Sequence, residues 1–225
     1  MLEMMITQKG NGAKPLFGYN FDTLTSTGTV TATNSDSSNH HALGTTYALS
    51  GYTYGANMAT SITNAVTGGT ATLNAGDFAF EFMFLSMMAG ESGNTSIFHI
   101  GTFKVQFTVT TQSPWYGRLI ITTPDGLYYI INVLRSDLST GWRHLAFVRS
   151  AGVLKVYLDG VEQQMTQSTT ISYALGGIPY PYNLGNVSSL VWRDATTSAG
   201  FYITEFALYN YSKYTQNFTP KWPFV

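Results

Sequence analysis

Strict two-residue alternation of apolar side chains constrains this chain more than any other feature. Phe78, Phe80, Phe82 and Phe84 occupy every second position of one stretch. Successive side chains of an extended chain point to opposite faces, so all four share one face of a β-strand. The period returns at Val105, Phe107 and Val109, interleaved with Lys104, Gln106 and Thr108, and again at Leu119 and Ile121. It recurs at Leu127, Tyr129, Ile131 and Val133. In the stretch 153–158, Leu154, Val156 and Leu158 point to a core while Lys155, Tyr157 and then Asp159 point away.

Turn chemistry separates these stretches. Thr123-Pro-Asp-Gly126 combines a preset φ at Pro with the freedom of Gly to take positive φ. Ser150-Ala-Gly152 joins residues 143–149 to 153–158, and Asp159-Gly160 predicts a type I′ hairpin turn. Residues 201–209 read as the last long strand. No stretch carries a convincing helical period; a short turn around 212–216 comes nearest. Many short strands with turn signals between them predict an all-β chain, a two-sheet antiparallel β-sandwich of jelly-roll type.

Composition agrees. Charged residues are only 10% of the 225 and the net charge is −1, against about 25% charged in an average globular protein. No basic patch for nucleic acid is expected. Aromatic residues reach 15%, with 15 Tyr and 14 Phe, which suits pleated surfaces. Cys is absent, which excludes disulfides, thiolate metal sites and thiol nucleophiles. The most apolar stretch, 78–89, is interrupted by Glu81 and Ser86 and is shorter than the ~20 residues of a membrane span. The first ten residues lack a basic and an apolar leader region, so no export through a cleaved leader and no membrane partner are expected. The matches to Asn-x-Ser/Thr at Asn94, Asn186 and Asn217 are chance-level in so Thr-rich a chain.

Residues 15–76 are loop-rich and hold too few large apolar residues for a core of their own, so 15–225 reads as one domain. Residues 1–14, with three Met and no pattern, read as an arm that is mobile or docked on a partner.

Residues 141–160, Gly-Trp-Arg-His-Leu-Ala-Phe-Val-Arg-Ser-Ala-Gly-Val-Leu-Lys-Val-Tyr-Leu-Asp-Gly, carry a family resemblance. Trp142, His144, Arg149, Gly152, Tyr157, Asp159 and Gly160 fall where the laminin-G-like, concanavalin-A-like jelly-roll superfamily has its Trp, His, Arg, turn Gly and Tyr-x-Asp-Gly. Residues 17–22 resemble the family's opening strand, Asp77-Phe-Ala-Phe-Glu-Phe82 its aromatic strand, 182–185 its short Tyr-x-x-Gly strand and 201–211 its closing strand. The resemblance spans roughly 15–221. Ser212-Lys-Tyr-Thr-Gln-Asn-Phe-Thr-Pro220 is similar to the closing segment of such domains in bacteriophage virion proteins. It implies a virion component, assembled in the bacterial cytoplasm and contacting other phage structural proteins.

The fold hosts binding modules and glycanases, so the acids decide between them. A retaining glycanase needs two carboxylates about 5–5.5 Å apart. No alternating run of acids is present. Glu81 is alone between Phe80 and Phe82, Asp159 sits in a turn and Glu205 stands alone. No Gly-x-Ser-x-Gly elbow occurs. The chain is therefore expected not to be an enzyme. His144 reads as a structural histidine and the His40-His41 pair as a solvated loop.

Calcium is the resemblance's usual metal. Asp22 matches an early family Asp, with Asp36 and Asp194 as weak companions, but Thr204 replaces the closing-strand Asp. No tightly held cofactor is expected, calcium remaining the one candidate. Trp115, Tyr116, Tyr180, Tyr182 and Trp192 are candidate loop aromatics, with Tyr52 and Tyr54 weaker. Such rings pack sandwich edges, stack on sugars or meet partner proteins. Two function classes remain. One is a virion structural protein held by protein contacts, with homo-oligomerisation compatible. The other is an adhesion module for host glycan.

Overall fold

The computed structural model describes residues 17–20, 25–27, 30–34, 48–49, 52–53, 56–57, 64–86, 93–100, 103–109, 116–134, 143–167, 171–172, 176–192 and 201–221. The described residues form strands and connecting turns, with no helix among them. In chain order the early strands are β1 (Phe17–Asn20), β2 (Thr25–Thr27), β3 (Val30–Asn34), β4 (Ala48–Leu49), β5 (Tyr52–Thr53), β6 (Ala56–Asn57) and β7 (Asn64–Thr72). The central ones are β8 (Phe78–Ser86), β9 (Gly93–Ile100), β10 (Phe103–Val109), β11 (Tyr116–Thr122), β12 (Tyr128–Leu134), β13 (Arg143–Ser150) and β14 (Val153–Leu158). The last are β15 (Val161–Glu162), β16 (Thr166–Gln167), β17 (Ile171–Ser172), β18 (Ile178–Pro179), β19 (Asn186–Trp192) and β20 (Phe201–Tyr209).

Two large sheets result. The first runs β15-β14-β13-β8-β20-β1-β2, with β18 added on β14 and β6 on β20. The second runs β17-β16-β12-β11-β10-β9-β19-β7-β3. The long neighbours pair antiparallel, including strands far apart in sequence such as β8 with β20 and β1 with β20. This is the expected antiparallel β-sandwich of jelly-roll type.

Register explains the core. Phe80 lies opposite Phe147 and Leu208, and Phe82 opposite Leu145 and Phe206. Leu158, Val156 and Leu154 face Leu145, Phe147 and Arg149 on the next strand. All are buried on one face. The second sheet answers with Phe103, Val105, Leu119, Ile121, Tyr129 and Ile131. Phe103 joins the two layers, its ring 6.1 Å from Phe78 and 5.4 Å from Phe147, edge-on to both.

The expected turns form. Asp159 and Gly160 have φ of 49° and 78°, as a type I′ turn requires, and Ala151-Gly152 repeats the pattern at 49° and 77°. The Gly126 amide donates to the Thr123 carbonyl at 2.9 Å, closing the β11–β12 hairpin.

Three expectations are corrected. Leu127 precedes β12 and is 38% exposed, because the turn's bonds through Thr123 carry it outside the strand's alternation. Residues 182–185 are not a strand; their backbone is drawn into a loop by Arg149, and Gly185 takes φ of 66°. Residues 212–216 form no helical turn but part of an irregular strap.

The outer face of the first sheet carries a second core. Alternation correctly turns Tyr157 away from the sandwich interior, yet Tyr157 is fully buried. It packs with Ala79, Met83, Ala146, Val148, Ala207, Tyr209 and Tyr214, with Tyr211 and Phe218 over them. The chain after β20 folds back as a strap across this face. The rings of Tyr214 and Phe218 stack at 3.5 Å and 5°, and Phe218 lies edge-on to Tyr157 at 5.4 Å. The Phe218 amide donates to the Gly160 carbonyl at 2.9 Å. Gly160 is required here, since a Cβ would lie 1.8 Å from the Phe218 carbonyl oxygen. Asn217 adds a stitch, its Oδ1 accepting from the Glu162 amide at 2.9 Å.

Candidate functional site

Glu81 is the acid a reader would test first for catalysis, and it is fully buried beneath the strap. Its place in β8, between inward Phe80 and Phe82, turns it to the outer face. There the carboxylate accepts from His144 Nε2 at 3.0 Å, Tyr209 Oη at 2.9 Å, Tyr214 Oη at 2.6 Å and Lys213 Nζ. Burial pushes its pKa up. The hydrogen bond from His144 and the charge of Lys213 outweigh burial and hold it below the ordinary value of 4.5. The carboxylate is thus ionised and accepts only, so His144 Nε2 carries the donated proton. His144 is a structural histidine, as expected. Two of Glu81's four donors, Lys213 and Tyr214, belong to the strap. Lys213 also sits 4.4 Å from the Tyr209 ring centroid. The chemistry of this cluster is attachment, since every donor is directed at one sealed acceptor.

A different arrangement occupies one end of the sandwich. Arg149 continues the inward series Leu145, Phe147, and is fully buried. Its Nε donates to the Gly76 carbonyl at 2.7 Å, Nη2 to that of Asn74 at 2.9 Å and Nη1 to that of Tyr182 at 2.5 Å. Its guanidinium lies 4.8 Å from the Phe78 ring centroid. One cation therefore ties two loops together, 73–77 and 179–185. Backbone bonds reinforce the tie, Leu73 to Gly185 and Leu184 to Asn74, both 3.1 Å. The Tyr180 amide donates to Gly152 at 2.7 Å, and the Ala151 amide to Asp77 Oδ1 at 2.8 Å.

From this pinned frame Tyr182 reaches the β11–β12 turn. Its hydroxyl donates to Asp125 Oδ2 at 2.6 Å, and its ring lies edge-on to Tyr180 at 4.9 Å. Thr123 Oγ1 donates to Asp125 Oδ1 at 2.5 Å. These two bonds, Thr123 first, hold the exposed Asp125 carboxyl below its ordinary range, and the same bond raises the Tyr182 phenol.

Among the candidate aromatics whose side chains are described, Tyr180 and Tyr182 come together. Tyr180 is corrected from a surface ring to a core residue. The short strand β18 pairs with β14 and turns Ile178 and Tyr180 inward, so Tyr180 is fully buried, edge-on to Phe103 at 5.7 Å. Tyr182 remains half-buried. Tyr116 begins β11 and Trp192 ends β19. Trp115 lies outside the described residues, as do Tyr54, the His40-His41 pair and the calcium candidates Asp22, Asp36 and Asp194. So does the 1–14 arm. Among the described residues no three His, Asp or Glu side chains gather as a metal-holding group. Sequence reading missed Asp125 as anything but a turn residue. It also missed Arg149 as an organiser, although a lone Arg in an inward series was the available signal.

Fold and frame together define a jelly-roll domain of the lectin-like class. The concanavalin A-like lectin/glucanases family model matches residues 59–216, and the chain belongs to that superfamily. No curated protein matches the chain. Among solved structures, the fold is similar to the botulinum neurotoxin serotype D binding domain, with a TM-score of 0.59 and 10% identity over 88% of this chain and 49% of that one. It is similar also to the botulinum neurotoxin type G receptor binding domain, at 0.52 and 8%, over 89% and 48%. The chain thus spans about half the length of each. At such identity the likeness speaks for the fold alone.

Proposed function

We propose that this protein is a non-enzymatic component of a bacteriophage particle, displayed on its outside and held by contacts with other phage structural proteins. The observation that carries this reading is the seal between the strap and Glu81. It assigns the phage-like closing motif and the acid of the β8 strand to one architectural unit, leaving Glu81 no access to substrate. The uncharged Thr, Ser and Asn surface suits close packing, because such groups lose less on desolvation than charges do. The 1–14 arm supplies a segment that orders across a neighbouring subunit, and self-association is compatible with the same contacts.

A second reading is supported by the rigid presentation of Tyr182 and by membership of the concanavalin A-like lectin/glucanases family. In it the domain recognises a host-surface polysaccharide. The two readings are compatible in one displayed protein.

The test is mass spectrometry of gradient-purified particles. The intact protein is expected at fixed stoichiometry, and a variant lacking residues 1–14 at reduced occupancy while its domain still folds. Absence of the intact protein from particles would overturn the virion reading. Full occupancy of the truncated form would overturn the role of the arm.

A further inference from the structure

We infer that the turn 123–127 and the loop 179–185 form one saccharide-binding site, with the Tyr182 ring as platform and Asp125 as the acceptor of ligand hydroxyls. The inference rests on the polysaccharide reading given above and assigns its residues.

Preorganisation is the first argument. Binding flexible loops costs order, and that cost is removed when the loops are already fixed. Here the Tyr182 backbone is held by buried Arg149, its ring by the Tyr180 ring and its hydroxyl by Asp125. Tyr182 is partly exposed, and a ring restrained at three points is held in a constant orientation. Sugar rings bind aromatic faces through their C–H groups, because the rigid ring contributes apolar area at low entropic cost.

The polar groups supply the second argument. Asp125 Oδ1 accepts from Thr123 Oγ1 at 2.5 Å and from the Leu127 amide at 3.4 Å, and Oδ2 accepts from Tyr182 Oη at 2.6 Å. A carboxylate offers about four lone-pair sites, so Oδ2 retains acceptor capacity for a hydroxyl. Asp125 is exposed, as are Pro124, Pro181 and Asn183 beside these two residues in sequence. Leu127, 38% exposed, adds apolar surface at the same turn. Lys104 is paired in register with Thr122, one residue before the turn, and is partly exposed. An aromatic ring, an ionised acceptor and an amide match the mixed apolar and hydroxyl character of a sugar. Tyr180 adds a third sign. Its hydroxyl is buried without a hydrogen-bond partner among the described residues, and its ring centroid lies 4.9 Å from that of Tyr182.

The experiment is affinity electrophoresis of the full chain in native gels containing dextran, mannan, a soluble β-glucan or bacterial O-polysaccharide. At least one gel is expected to retard the wild-type protein. Tyr182→Ala is expected to reduce that retardation at least tenfold in apparent affinity, and Asp125→Asn severalfold. Val161→Ser, at an exposed position on β15, is expected to migrate as wild type. Melting curves check that each variant is folded. Retardation unchanged in folded Tyr182→Ala and Asp125→Asn would overturn the site while leaving the polysaccharide reading standing. No retardation in any gel would overturn both.

Discussion

Glu81→Gln should lower stability by about 3–5 kcal/mol, the cost of removing one charge from a buried, hydrogen-bonded cluster. The amide keeps the shape but presents an NH2 group to a site built from donors. Lys213, His144, Tyr209 and Tyr214 then compete for one remaining oxygen. Urea unfolding measures the loss as a lower midpoint at unchanged slope. Because two donors come from the strap, the Phe218 amide should also exchange faster in the variant, reporting strap release before global unfolding. Acid gives the same test without mutation. Glu81's folded pKa lies below the ordinary 4.5, so its contribution is fully present above that value and is lost as pH falls through and below it. The acid limb of the stability curve should therefore be shallower in Glu81→Gln than in wild type. An unchanged urea midpoint would show that the strap is held by ring packing alone.

Arg149→Met should cost a similar amount, about 3–5 kcal/mol, and lower Tm by about 10 °C or more in a domain of this size. Methionine refills much of the volume but donates nothing. The carbonyls of Asn74, Gly76 and Tyr182 lose their shared donor. Breakage is local, so the loops 73–77 and 179–185 should lose exchange protection while the β8 and β13 strands keep theirs. A melting curve matching wild type would mean the backbone bonds between the loops suffice.

The two largest effects fall on residues whose roles the sequence only half discloses. Alternation placed Phe78 to Phe84, Leu154 to Leu158 and the last long strand correctly, because a two-sided strand imposes its period locally. The turns at Asp159-Gly160 and Thr123 to Gly126 were equally legible, since positive φ selects its residues. The Glu81 cluster was not. Glu81 and Tyr214 lie 133 residues apart, and an isolated acid facing away from a core reads as solvated until something covers it. Tyr157 failed for the same reason: its face was right, its burial depended on the strap. Tyr180 read as a candidate loop aromatic, whereas a two-residue strand was enough to turn the ring inward. Of the two candidate aromatics whose side chains are described, Tyr182 keeps a partly exposed place and Tyr180 does not. Asp125, the partner of Tyr182, was hidden inside ordinary turn chemistry.

In the function proposed, the acid of the β8 strand is an anchor and the domain binds without cleaving. Release of reducing ends from the same polysaccharides, measured over long incubation with the wild-type protein, tests it most directly. The expected result is no release above a protein-free control, including with any polysaccharide that retards the protein in a gel. Turnover that disappears in folded Glu81→Gln would contradict the account, since it would require Glu81 to reach a substrate through the closed strap.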